Sequence, residues 1–356
     1  MEYGLAFRLH NAFLIFRVSQ EATHSTDIFS VSGLSKLLFK TNPAAVLLLG
    51  YHPQFYLHAF WQAWRLNYPL LLRAETTDHA RQRTKAKIWL RDTFLRWFYR
   101  RFTALLPIGQ HSIRHYDRLA KKTTARFFSP YCVDTTVFSP SEIDRVQLRS
   151  TIRHLLGINE KSHVILFSGK LIPKKAPEVL LKAVKQLPAE VRENVVVIFL
   201  GDGELRSTLE QLVQESPAIH THFAGFQNQT ALSPFYHVAD MLVLPSRYTE
   251  TWGLVINEAL HHGVPSIVSD QVGCAPDLIV PGETGEIFAS DNIAQLTAAI
   301  AKVLAWSGTL TVRERCRAQV ANYTIDQAAA GIAQAFHCVT STQHGKKPYY
   351  SHKHLV

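Results

Sequence analysis

Apolar residues fall along this chain in two patterns, short unbroken runs bounded by turn residues and longer stretches in which they return every three to four positions. The run from Ala45 to Gly50, AVLLLG, is too short for a helix and reads as a buried strand. Gln54 to Leu66 is aromatic-rich at helical spacing, and Pro69 to Leu72 is a second apolar run. Strand, helix, strand implies neighbouring parallel strands. Arg81 to Phe102 is basic and aromatic at helical spacing, which fits either a long surface helix with one apolar face or a helix that contacts a membrane.

Ser139 and Pro140 break this pattern, and a polar helical segment from Ile143 to Leu156 stops at Gly157. A domain boundary is therefore placed between 140 and 141. Beyond it the alternation is regular. Strands are expected at Val164 to Ser168, Val195 to Leu200, His222 to Ala224, Met241 to Leu244 and Ser266 to Ser269. Helices are expected between them at Pro177 to Gln186, Leu205 to Gln214, a segment ending at Val238, and Leu254 to His262. That order predicts a doubly wound α/β sheet. Helices at Ile293 to Ala305 and Ile325 to Phe336 come next, then a basic tail from Val339 to Val356, read as a solvated end whose His344, His352 and His354 lack metal-ligand spacing.

At 356 residues, the chain has room for two domains of roughly 100 to 200 residues each. Its formal charge of +10 attracts anions, whether phosphorylated small molecules, an anionic bilayer or nucleic acid. No arginine-rich block with interleaved aromatics, zinc-finger spacing or RNA-binding aromatic motif occurs, which argues against nucleic acid. Cys132, Cys274, Cys316 and Cys338 are far apart and form no metal-ligand pair, as in a reducing compartment. The early apolar run from Ala12 to Phe16 is too short for a membrane span, and no signal-peptide pattern is present, so a cytoplasmic protein is expected, with peripheral contact to the inner face of an anionic membrane left open.

Ligands of open parallel sheets bind at the carboxyl ends of strands, and three such places carry chemistry. Gly169-Lys170-Leu171-Ile172-Pro173-Lys174-Lys175 delivers ammonium groups to one sheet edge, suited to a diphosphate or simply a solvated basic loop. Gly201-Asp202-Gly203-Glu204 is either a phosphate-cradling turn or a tight turn that needs glycine. The third place runs from Pro245 to Glu258. There Glu250, in a loop, precedes by eight positions Glu258, in a helix opening near Gly253, and the N–H groups of Thr251, Trp252 and Gly253 sit at the positive helix end.

These motifs in this order, with FAGF from Phe223, ADMLVLPS from Ala239 to Ser246 and GETG from Gly282 to Gly285, resemble the nucleotide-binding domain of glycosyltransferase family 4 over Val164 to Phe288. PYCVDTTVFSP from Pro130 to Pro140 is similar to that family's interdomain segment, and Tyr323 to Phe336 to its helix crossing back to the N-terminal domain. The resemblance implies a GT-B fold of two Rossmann-like domains. Residues 1–140 would form an N-terminal acceptor-side domain that lacks its first strands, since nothing from Met1 to Ser30 resembles the family's opening strand and glycine loop. Residues 141–320 would form the nucleotide-sugar domain, 321–338 the returning helix and 339–356 a basic disordered tail.

The resemblance further implies a retaining sugar transfer from a nucleotide-diphosphate sugar to a hydroxyl acceptor, a sugar or lipid-linked glycan, in polysaccharide or glycolipid synthesis. Lys170 and Lys175 would neutralise the diphosphate, Glu250 and the N–H groups after it would hold the donor sugar, and Glu258 the ribose. Gly169, Phe226, Thr251, Trp252, Gly253 and Leu254 complete the implied donor site, with Phe226 offering backbone bonds to the base. No Asp-x-Asp pair occurs, so neither a metal nor a cofactor is expected. Where many members place a histidine this chain has Arg73-Ala74-Glu75, which makes Arg73 and Glu75 the acceptor-side candidates and His52, His79 and His111 possible substitutes. The alternative is a nucleotide-sugar-binding relic without turnover.

Overall fold

The structure is a computed structural model that describes residues 33–51, 54–78, 84–138, 141–248 and 250–341. The first part contains α1 (Leu34–Thr41), β1 (Val46–Leu48), α2 (Gln54–Arg65), β2 (Leu70–Leu72), α3 (Lys85–Tyr99), β3 (Ala104–Leu105), α4 (Gln110–Leu119) and β4 (Ala125–Arg126). The second begins with α5 (Glu142–Leu155), β5 (His163–Ser168), α6 (Pro177–Lys185), α7 (Ala189–Arg192), β6 (Val195–Leu200), α8 (Arg206–Gln214), β7 (His220–Gly225) and α9 (Ser233–Val238). It continues with β8 (Met241–Leu244), α10 (Leu254–His261), β9 (Ser266–Ser269), α11 (Ala275–Leu278), β10 (Gly285–Phe288), α12 (Ile293–Leu304), α13 (Leu310–Val320) and α14 (Ile325–Ser341).

The strands form two parallel sheets, as the α/β two-domain expectation requires. The smaller has the order β1-β2-β3-β4, and the larger β10-β9-β8-β5-β6-β7. Along the large sheet the alternation of the pleat sends Leu166, Ile198 and Leu242 to one core and Phe167, Val197 and Val243 to the other. Burial on both faces is why these strands read as unbroken apolar runs. The small sheet uses Leu70, Leu72 and Leu105 to pack α2 and α3 through Phe60 and Phe98. Its opposite face, with Leu71, Ala104 and Leu106, takes Ala335 and Val339 of α14.

Helix α14 thus returns from the large sheet to the small one. It comes so near the chain at Phe128 that a Cβ on Gly331 would lie 1.9 Å from that residue's carbonyl oxygen. Val339 is 2% exposed and the helix runs through Ser341, so the expected solvated tail does not start at Val339, and its remainder, 342–356, lies outside the described residues. The expected loss of the first strands likewise falls on residues 1–32, outside the described residues. Helices α1, α4, α7, α11 and α13 and strands β3, β4 and β10 were not among the expected elements. Among the described residues no helix is long and apolar enough to cross a membrane.

Candidate functional site

The large sheet reverses its strand order between β5 and β8, the two central strands from which the chain winds outward in opposite directions. A crevice opens at such a switch point, at the carboxyl ends of the strands. The loops after β5 and β8 therefore converge there, and they carry the lysine turn and Glu250 respectively.

The lysine turn is fixed by backbone contact. Gly169 has φ 143°, and the chain after β6 presses so closely on it that a Cβ on Gly201 would lie 2.0 Å from the Gly169 carbonyl oxygen. Leu171 N–H donates to the Asp202 carbonyl at 2.9 Å, and Leu205 N–H to the Leu171 carbonyl at 2.9 Å. The Gly201-Asp202-Gly203 turn is thus a buttress for the lysine turn. That favours the tight-turn reading over the phosphate cradle. The two converging loops are also tied to each other, since Arg247 N–H donates to the Lys174 carbonyl at 2.9 Å and its guanidinium pairs with Glu178 at 2.6 Å and Asp291 at 2.7 Å.

At the centre of this frame the Lys175 ammonium forms an ion pair with Glu250 Oε2. Glu250 also accepts from Ser246 Oγ at 3.0 Å, and its carbonyl accepts from Gly273 N–H at 2.9 Å. Lys170, at the tip of the same turn, is exposed and pairs with no described carboxylate. Glu258, one turn into α10, is bonded by the Tyr236 hydroxyl, which also lies 3.2 Å from Ser168 Oγ at the end of β5. Both carboxylates therefore border the lysine turn, Glu250 through Lys175 and Glu258 through Ser168. Burial pushes the Glu258 carboxyl above its ordinary range, against the opposing effect of the Tyr236 bond.

Gly253 precedes α10 at φ 103°, a left-handed conformation that opens the helix without a side-chain cap on its first N–H groups. Trp252 is placed otherwise than a ligand-binding side chain would be. Its indole is 4% exposed, donates to Asn257 Oδ1 at 2.7 Å and packs between Tyr131, Tyr323 and Gly109, so only its backbone faces the loop. Leu254 is partly exposed beside it, and Phe226, past the end of β7, is 64% exposed.

From the small sheet, the loop after β2 reaches across. Thr251 Oγ1 donates to Glu75 at 2.9 Å, which places Glu75 in the cleft. Arg73 is not there. Its Nε donates to Ser129 Oγ at 2.9 Å, its Nη2 to the Pro130 carbonyl at 2.8 Å, and its guanidinium lies over the Tyr131 ring, so it holds the interdomain segment. Burial lowers its pKa. His111 lies on α4, and His52 and His79 are outside the described residues.

Two site residues, Asp277 and Tyr236, were not anticipated. Asp277 accepts from Gln110 N–H at 2.9 and 3.1 Å and from the Tyr323 hydroxyl at 3.0 Å, joining the large domain to the first turn of α4. Burial pushes its carboxyl up to about 6. Its position shortly after β9, at the carboxyl edge, is the signal that could have found it. Tyr236 had no such signal.

Residues 149–335 match the profile of the family described as glycosyl transferases group 1. A D-inositol 3-phosphate glycosyltransferase of Mycobacterium marinum is 35% identical over 170 residues, 47% of this chain and 34% of the relative. A lipopolysaccharide 1,2-N-acetylglucosaminetransferase of Salmonella typhimurium is 27% identical over 189 residues, 50% of this chain and 47% of the relative. The match thus spans between a third and a half of these relatives' length. Among solved structures, a glycosyltransferase from Rickettsia africae superposes with TM-score 0.69 at 14% identity over 89% of this chain and 84% of its own. The UDP complex of Anabaena HepE superposes with TM-score 0.66 at 18% identity over 86% and 82%. With the family profile covering more than half of its residues and the fold shared across both sheets, the chain belongs to the group 1 glycosyl transferases and has their two-domain GT-B architecture.

Proposed function

We propose that the chain transfers a sugar, with retention of anomeric configuration, from a nucleotide-diphosphate sugar to a hydroxyl acceptor. The observation that carries this reading is the Lys175–Glu250 pair at the sheet's switch point, with Glu258 bordering the same turn. UDP in the Anabaena neighbour, which shares the fold, is consistent with a nucleotide in this cleft.

Cleavage of the bond between the sugar's anomeric carbon and the phosphate leaves an electron pair on the phosphate oxygen and positive charge on the sugar. Lys170 and Lys175 stabilise the first change and act mainly in the transition state. In the free chain Lys175 is neutralised by Glu250. A bound diphosphate takes up the ammonium and turns the Glu250 carboxylate to the sugar hydroxyls, where it orients the ring. The acceptor oxygen attacks from the face the phosphate leaves, and its proton passes to the departing phosphate oxygen. Glu258, held by Tyr236, accepts the ribose hydroxyls, and the N–H groups of Thr251, Trp252 and Gly253 serve the sugar or phosphate oxygens. No step draws on a metal or an organic cofactor.

Calorimetry against a panel of UDP-, GDP- and ADP-sugars, followed by product analysis by NMR, tests this reading. The expected result is one preferred donor and a product whose anomeric configuration matches it. Inversion of that centre would overturn the retaining mechanism, and tight donor binding with neither transfer nor hydrolysis would favour the relic.

A further inference from the structure

Helix α3 exposes a surface that its own fold does not use. Its buried face is Leu95, Phe98 and Tyr99. On the opposite side Leu90, Phe94 and Trp97 succeed each other at i, i+4 and i+7, and Lys85, Trp89, Arg96 and Arg100 form an adjacent stripe at i, i+4, i+11 and i+15. Trp89 is 70% and Leu90 67% exposed, so large apolar groups stand in solvent among cations. The apolar stripe continues onto α2, where Trp61 and Trp64 pack with Trp97, and Arg101 lies 5.1 Å from the Trp64 ring and 5.3 Å from the Trp97 ring.

The charges on this face are uncompensated. Between 33 and 101 the only acidic residues are Glu75, Asp78 and Asp92. Glu75 accepts from Thr251, Asp78 is held by Arg91 and Arg118, and Asp92 by Arg118. Lys85, Lys87, Arg96 and Arg100 face no described carboxylate.

We propose that this face of α2 and α3 docks on an anionic lipid bilayer. Indoles belong at the level of the headgroups, where one part of the ring meets hydrocarbon and the N–H meets water. A helix lying in that plane with basic residues beside its apolar stripe is attracted by both terms at once. Nucleic acid would use the cations but gain nothing from a standing leucine. The loop of residues 73–78, which carries Glu75 into the cleft, is tied to α3 through Asp78 and Arg91, so docking holds the cleft mouth beside the membrane. If the transfer reaction holds, the acceptor is a lipid-borne hydroxyl, and that step rests on the proposed function while the docking does not.

The full chain is sedimented with vesicles of phosphatidylcholine alone or with added phosphatidylglycerol, in rising salt. Binding only to the anionic vesicles, reversed by salt, is expected. Trp89→Ser with Leu90→Ser should weaken it at least tenfold, and Lys85→Ala or Arg96→Ala about fivefold each, with unchanged thermal midpoints. Equal sedimentation of wild type and the double variant overturns the proposal. So does a dimer in solution that the double variant dissociates while neither form binds vesicles, since a second copy would then cover the face.

Discussion

The two sheets hold their cleft-facing loops by different means. In the large domain the lysine turn is locked by backbone against backbone, Gly201 on Gly169 and Gly203 on Leu171. In the small domain the loop of residues 73–78 is held by side chains. Asp78 takes Arg91 at 2.8 Å, Arg118 at 2.8 Å and His115 at 3.0 Å, and His115 meets the Tyr99 hydroxyl at 2.9 Å. Backbone packing tolerates no substitution and is indifferent to salt, whereas an ion network gives way by degrees and responds to pH and ionic strength. The proposed donor site would need the first kind of support, since every turnover would present the same diphosphate.

The largest effect should come from the charge that the rigid turn presents. Lys175→Ala is expected to lower turnover by about 100- to 1000-fold, roughly 2.7 to 4 kcal/mol, if the ammonium acts as one preorganised donor to the departing oxygen. Nucleotide affinity should fall much less, because the diphosphate keeps Lys170 and the backbone of the turn. Steady-state kinetics with calorimetry separates the two, and equal losses in both would make Lys175 a ground-state binder only.

Next comes the lock itself. Gly201→Ala must place a Cβ 2.0 Å from the Gly169 oxygen at a backbone φ of 142°. Strain and overlap together should cost about 3 kcal/mol or more, and donor binding should fall with stability because the lysine turn moves. A variant that melts early yet binds nucleotide normally would break the link between buttress and turn.

The same contrast explains what could be read from the chain. Backbone locks require glycine at fixed positions after strands, and buried parallel strands require unbroken apolar runs, so β5, β6, β8 and β9 and the turns after them were legible. Side-chain networks leave no such mark. Helix α4 buries Ser112, His115, Tyr116 and Leu119, a correct helical period hidden by two polar members. Helix α13 buries Val312, Cys316 and Val320 within an otherwise charged stretch. Strands β3 and β4 have two residues each, too few to show alternation. Arg73 lay at the end of a strand, as an acceptor-side residue would, but its partners, Ser129 and Pro130, are more than fifty positions away and only folding brings them together.

Between the domains Asp277 sharpens the comparison, because it is a side-chain link made by the rigid half. Its carboxyl is pushed up to about 6 by burial, from 3.8 in an open chain. The folded protein then binds more protons than the unfolded one between these values, so stability should decline as pH rises from about 4 to about 6 and level off above. The span is at most about 3 kcal/mol at 1.36 kcal/mol per unit. Asp277→Asn keeps an acceptor for Gln110 N–H and the Tyr323 hydroxyl while removing the titration. Thermal midpoints across pH 4 to 7 should therefore be flatter than those of the wild type, and an unchanged slope would assign it to another group.

Asp78 should give the smallest effect and the opposite sign. His115, Arg118 and Arg91 bond its carboxylate and hold it well below the usual range, outweighing its partial burial. A depressed pKa contributes stability above the open-chain value near 3.8 and loses it as pH falls below that. The side chain is 40% exposed, so solvent screens the network and the loss in Asp78→Asn at neutral pH should stay within about 1 kcal/mol. What should change more visibly is the loop. With Asp78 no longer gripping Arg91 and Arg118, Glu75 loses its fixed approach to Thr251, and KM for the acceptor should rise while donor affinity holds. High salt added to the wild type should reproduce part of that rise, because it screens the same ions, and should leave the glycine-locked donor turn as it was. A donor affinity that fell in step with the acceptor KM would mean that the two loops are held as one unit, and the distinction between a rigid half and an ionic half would fail.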